Sequence, residues 1–89
     1  MAVWDRRGRL LFRARASDIS ENGLRCLTLA RRALRAKGKV VLELCLPPAR
    51  LPKVRHRVAR TVRYLGRIVQ AEEVGQLVGV AIQLIEKLD

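Results

Sequence analysis

Apolar and polar residues alternate with period two along most of this chain. Leu10, Phe12, Ala14 and Ala16 fall on one face, and Arg9, Arg13 and Arg15 on the other. Successive side chains of an extended chain point to opposite faces, so this segment reads as a half-buried strand, apolar inward and basic outward. Leu24 to Leu29 returns as a second strand. Lys39 to Leu46 is a third, with Leu42, Leu44 and Leu46 on one side. Pro47-Pro48 ends it, because proline cannot donate to a ladder, and Ala49 to Lys53 reads as a loop. Val54 to Tyr64 alternates again, with Val54, His56, Val58, Arg60, Val62 and Tyr64 sharing a face. Arg60 interrupts that inward face, which points either to a barrel rim or to a bulge that shifts the register. Gly66-Arg67 reads as a bend before Ile68-Val69, and Glu72-Glu73-Val74-Gly75 as a hairpin turn. Gln76 to Leu84 is the last strand, with Val78, Val80, Ile82 and Leu84 inward. Ile85 and Leu88 follow as apolar residues expected to cover a barrel end.

Two stretches depart from the alternation. Residues 1–8 read as a flexible N-terminal arm, in which Trp4 is suited to capping an open end of the core. Asp5-Arg6-Arg7-Gly8 within it is a turn with two exposed guanidinium groups. Ala30 to Lys37 consists of good helix formers with Ala30, Ala33, Leu34 and Lys37 at helical spacing. It predicts one or two helical turns in a connection, with a solvated basic face and Gly38 as the C-cap.

Short strands, evenly spaced turn signals and little helix predict an all-β fold. The expectation is one domain, residues 1–89, built as a small antiparallel barrel of five or six strands with at most a short helical turn. Closure would hide the edges of so small a sheet. The corner Asp18-Ile19-Ser20-Glu21-Asn22-Gly23 joins the first two strands. Asn22-Gly23 suggests a tight hairpin, since both residues accept positive φ. Asp18 and Ser20 have side chains that bond backbone N–H groups in turns.

Composition narrows the function classes. Eighty-nine residues make one small domain, and 49% apolar residues are ample for a folded core. With only 3% aromatics, that core is aliphatic. No apolar run approaches the ~20 residues that span a bilayer, and the N-terminus lacks the apolar stretch of a secretory signal. A cytoplasmic protein without membrane insertion is expected. Cys26, Cys45 and His56 are too few and too scattered for a disulfide framework or a zinc site. The formal charge of +11 implies an anionic partner. An arginine-rich composition by itself also produces such a charge.

Asp18-x-Ser20-x-x-Gly23, flanked by Ile19 and Leu24, resembles the D/N-x-S-x-x-G signature of PilZ domains. The likeness extends through the apolar strand that ends at Pro47, the long strand Val54 to Tyr64, and Gly79-Val80-Ala81-Ile82. It covers nearly the whole chain from about Gly8. The resemblance implies a six-stranded β-barrel from a bacterial second-messenger system that binds cyclic di-GMP without catalysis and without a cofactor. It assigns Asp18 to the guanine N–H groups, Ser20 to phosphate or base, and Gly23 to close approach of the backbone to the ligand. Arginines of an R-x-x-x-R motif clasp the phosphates and stack on guanine, as the planar guanidinium fork permits.

That arginine motif is where the chain departs from the family. It precedes the first strand in PilZ domains, and only seventeen residues stand ahead of Asp18 here. Arg9 and Arg13 match R-x-x-x-R by letter but fall inside the predicted strand. Arg6 and Arg7 lie on a better-placed segment with the wrong spacing, as stand-ins in a trimmed or divergent domain. Three readings follow. One is a cyclic di-GMP receptor, or a descendant of one, that signals to an effector protein. A second is an adaptor that binds proteins and no nucleotide. The third is a basic barrel for nucleic acid, carried by Arg50, Lys53, Arg55, Arg57, Arg60, Arg63 and Arg67 in a stretch free of acidic residues. The scarcity of stacking aromatics argues against the third. An enzyme is not expected: Ser20 has no nucleophile elbow, and nothing in the sequence sets His56 beside it.

Overall fold

A computed structural model describes residues 1–46 and 60–88. They form a seven-stranded antiparallel sheet, curled into an open half-barrel, with one short 3₁₀ turn. The strands are β1 (Ala2–Trp4), β2 (Leu10–Arg13), β3 (Arg15–Ile19), β4 (Gly23–Thr28), β5 (Gly38–Leu46), β6 (Arg60–Val74) and β7 (Leu77–Lys87). Their order across the sheet is β2-β1-β5-β6-β7-β4-β3.

The inward face follows the alternation. Val40, Leu42 and Leu44 of β5 and Val78, Val80 and Ile82 of β7 are buried together with Val3, Phe12, Leu24, Cys26, Val62 and Ile68. Apart from Phe12 and Cys26 these side chains are aliphatic, and curling the sheet brings them into contact with one another. Among the described residues, no helix is long and apolar enough to cross a membrane. The strand expected over residues 54–59 and the proline-bounded loop before it lie outside the described residues.

Several expectations need correction. Seven strands are found where at most six were predicted, because the strand read over Arg9 to Ala16 divides. β2 pairs with β1, β3 pairs with β4, and Ala14 joins them. Alternation reports which face a residue takes and not which neighbour it pairs with, so a strand that changes partners reads as one run. Of its predicted inward residues only Phe12 is fully buried; Leu10 is exposed and Ala14 and Ala16 are half-buried.

Residues 2–4 are not an arm. They are an interior strand between β2 and β5, with Val3 opposite Phe12 and Leu42 and wholly buried. Three residues are too few to display a period, and two neighbouring strands supply the order. The turn that follows is the predicted one. The Asp5 carboxylate accepts the backbone N–H groups of Arg7 and Arg9 at 2.9 and 2.8 Å. The Arg9 N–H is the main cause that holds the Asp5 carboxyl below its ordinary range.

The predicted helical turn is the 3₁₀ segment Arg31–Arg35. Its three arginines are exposed, but Ala33 is fully buried and the segment packs on β2, β6 and β7. It is therefore a docked element rather than a solvated connection. Gly38 does not cap it; the cap is Ala36 in an extended conformation, and Gly38, at φ +85°, opens β5. β6 runs unbroken through Gly66-Arg67, where register shifts against β7 leave Ile85 and Val69 without an opposite residue. The hairpin turn falls later than read, at Gly75-Gln76, with Gly75 at φ +62°. Ile85 and Leu88, expected to cover a barrel end, are exposed among the described residues.

Candidate functional site

The corner between β3 and β4 closes by hydrogen bonds to a single carbonyl. Ser20 N–H and Ser20 Oγ both donate to Gly23 O, at 2.8 and 3.1 Å. Asn22 O accepts from Leu84 N–H at 3.0 Å, which ties the corner to β7. Two expectations fail here. Neither Asn22 nor Gly23 has positive φ. Glycine is needed at Gly23 for a different reason: a Cβ there would lie 2.8 Å from the Ile82 carbonyl oxygen across the β4–β7 ladder. Ser20 donates to a carbonyl instead of accepting from a backbone N–H, and the Asp18 carboxylate makes no hydrogen bond among the described residues.

A bulge sets where Asp18 points. Ala16 lies opposite Cys26 and Asp18 opposite Arg25, so Ser17 is an extra residue in β3. Its hydroxyl donates to Arg25 O at 3.2 Å. The register brings the exposed Asp18 and Arg25 side by side on the outer face of the sheet.

Around this pair lies a shallow concavity of about 820 Å³. The corner contributes Asp18, Ile19, Ser20 and Asn22, β4 contributes Gly23 and Arg25, β7 contributes Ala81 and Gln83, and β6 contributes Val69. The bulge residue Val69 is 59% exposed and Ile19 58% exposed, so two bare apolar side chains flank the polar groups. The set offers a carboxylate acceptor, a hydroxyl, a guanidinium fork and an amide that both donates and accepts. Such a surface suits a ligand carrying N–H donors, an anionic group and a flat apolar face.

No protein-family model, curated protein or solved structure matches the chain. The site is read from its own geometry.

Of the residues singled out in the sequence, Asp18, Ser20 and Gly23 are brought together. Arg6 and Arg7 are exposed on the β1–β2 turn. Arg6 lines a separate hollow of about 310 Å³ with Trp4, Glu43 and Arg63, and this hollow shares no lining residue with the corner. β5, β6 and β7 lie between β1 and β4 in the sheet. Arg13 lies in β2 and Arg9 immediately before it. Arg25, Gln83 and Val69 were not singled out. Alternation in Leu24-Arg25-Cys26 already turns Arg25 outward next to the corner, whereas Val69 enters only through the β6 bulge.

Cys26 is buried, and burial pushes its thiol up to about 11. Cys45 is exposed, and both thiols are free. Among the described residues, no group of three or more His, Cys, Asp or Glu is arranged to hold a metal ion.

Proposed function

We propose that this chain is a PilZ-type signalling domain that binds cyclic di-GMP, or descends from a binder, and passes the signal to an effector protein in the bacterial cytoplasm. The observation that carries the reading is the gathering of Asp18, Ser20 and Gly23 around one open concavity beside Arg25. Asp18 serves as acceptor for guanine N–H groups, and Arg25 as the cation for phosphate or for the guanine face. The family barrel has six strands. Counting β2 and β3 as one strand through Ala14 gives that number and links the two edges of the sheet.

A second reading is an adaptor that binds protein and no nucleotide. It is favoured by the separation of Arg6 and Arg7 from the corner, which leaves the concavity without the family's paired arginines. The nucleic-acid reading rests on a basic stretch of which only residues 60–67 are described, and it ranks third.

Calorimetric titration with cyclic di-GMP separates the first two readings. The Asp18 carboxylate makes no hydrogen bond among the described residues, so Asp18→Ala is expected to leave the melting temperature nearly unchanged. The same substitution should weaken binding by roughly 1.5–3 kcal/mol, the range for hydrogen bonds to charged groups. That is about a tenfold to hundredfold rise in Kd. Arg25→Ala should weaken binding as well, and Arg6→Ala should not. Heat-silent titration of the unaltered chain would transfer the proposal to the adaptor.

A further inference from the structure

On the outer face of the sheet, four strands bring one row of residues into register. Lys39 of β5 lies opposite Arg67 of β6, Arg67 opposite Gln83 of β7, and Gln83 opposite Gly23 of β4. Their chain neighbours Val40, Ile68 and Ile82 are buried, so Lys39, Arg67 and Gln83 point outward, and all three are exposed. Gln83 and Gly23 already line the corner concavity. The row therefore leads from the concavity to two cations, about 10 and 14 Å across the sheet from β4.

Two observations mark this pair. Like charges directly opposite on a ladder destabilise a sheet, yet Lys39 and Arg67 face each other without a counter-ion. Neither side chain makes an ion pair or hydrogen bond. Glu86, opposite Leu65 in the next outward row, pairs with neither. Residues 47–59 contain no acid. Asp89 follows Leu88, whose N–H donates to Arg63 O, about 13 Å along β6 from Arg67. The second observation is geometric. Register shifts on both sides of Gly66, Arg67 and Ile68 leave Ile85 and Val69 unopposed, so Arg67 is bracketed by two bulges. Bulges re-aim side chains and are enriched beside functional sites.

We propose that Lys39 and Arg67 form an anion clasp for a phosphate group of the ligand whose base occupies the corner concavity. From opposed positions both cations reach one phosphate, Arg67 through its planar fork and Lys39 as a point charge. Gln83, beside Arg67, offers an amide N–H to the same group. The bound anion turns a repulsion between cations into two attractions. The clasp supplies the paired cations that Arg6 and Arg7 do not bring to the corner. The anion site stands on register and charge; its link to a base in the concavity rests on the proposed nucleotide reading.

The first probe is inorganic pyrophosphate, titrated into the full chain while NMR follows the backbone amides. The largest shifts are expected at Lys39, Arg67 and Gln83. Arg67→Glu gives Lys39 an opposed partner, so the melting temperature should hold or rise, while pyrophosphate affinity falls at least about tenfold. Should that variant fail to fold, Arg67→Gln carries the same comparison with a smaller fall. Arg13→Glu, an equal change of net charge on β2, should leave the affinity within about twofold. A response spread evenly over the arginines, or one that Arg67→Glu leaves intact, overturns the proposal. Cyclic di-GMP is the second titrant and tests the nucleotide reading separately. A response to pyrophosphate alone upholds the clasp and sinks that reading. Equal binding of cyclic di-GMP by Arg67→Glu and the unaltered chain upholds the reading and overturns the clasp. Single-stranded DNA held more tightly than cyclic di-GMP, and released by the same variant, would give the clasp to nucleic acid and overturn the proposal as well.

Discussion

A Cβ at Gly23 would meet the backbone of β7 across the ladder. Asn-Gly suggests positive φ, yet the backbone there takes no such value, and the constraint is the Ile82 carbonyl 2.8 Å from where a Cβ would sit. The two reasons make different forecasts. If φ were the constraint, Gly23→Asn would be tolerated, because asparagine visits the left-handed region. Steric contact with backbone predicts that Gly23→Ala and Gly23→Asn both destabilise by about 1–3 kcal/mol, the range for overpacking. Urea unfolding midpoints of the two variants check this. The cysteines offer a second test at this scale. Only the thiolate is nucleophilic, and Cys26 is buried with its thiol raised to about 11. Near pH 8, iodoacetamide should modify the exposed Cys45 in the folded chain and reach Cys26 only on unfolding, as mass spectrometry of timed samples would report.

Among the elements, β2 and β3 carry the largest difference between pattern and structure. One alternating run serves two ladders, and what handles the switch is Thr28, which the alternation does not distinguish. Its hydroxyl donates to Arg13 O at 2.7 Å and accepts from Ala30 N–H at 3.1 Å, with the residue 4% exposed. Thr28→Val keeps the shape and leaves a carbonyl and an N–H without their partner, so a loss of about 1–3 kcal/mol is expected. Thr28→Ser should recover part of it. By contrast, the Arg31–Glu73 ion pair, at 2.5 Å, has side chains 59% and 57% exposed. Exposed pairs contribute ~0–1 kcal/mol, so Arg31→Ala should cost less than Thr28→Val in the same denaturation series.

For the whole molecule, charge is the dominant quantity. A formal +11 on 89 residues attracts any polyanion. Counterion release makes such binding steeply dependent on salt, and this chain has almost no aromatic platform for stacking bases. Single-stranded DNA should therefore bind weakly and without sequence preference, with affinity collapsing between low and physiological salt in a fluorescence anisotropy titration. Tight binding that survives physiological salt, and is lost in Arg55→Ala with Arg57→Ala, would raise the nucleic-acid reading above the other two.

The period-two alternation fixed what depends on face alone. Leu42 and Leu44, and Val78, Val80 and Ile82, had to turn to one side of an extended chain and did, so an antiparallel all-β domain was readable from the residues. The corner was readable as well, because Asp18, Ser20 and Gly23 stand within six positions of one another. Pairing depends on what lies across the ladder, and no local pattern carries that. Three apolar residues at the N-terminus became an interior strand because β2 and β5 flank them. Arg25 came to stand beside Asp18 because Ser17 bulges, and Val69 joined the same concavity because β6 slips against β7. A one-residue shift moves a side chain to the other face of a sheet, so these bulges, set by tertiary pairing, decided which side chains the candidate site contains.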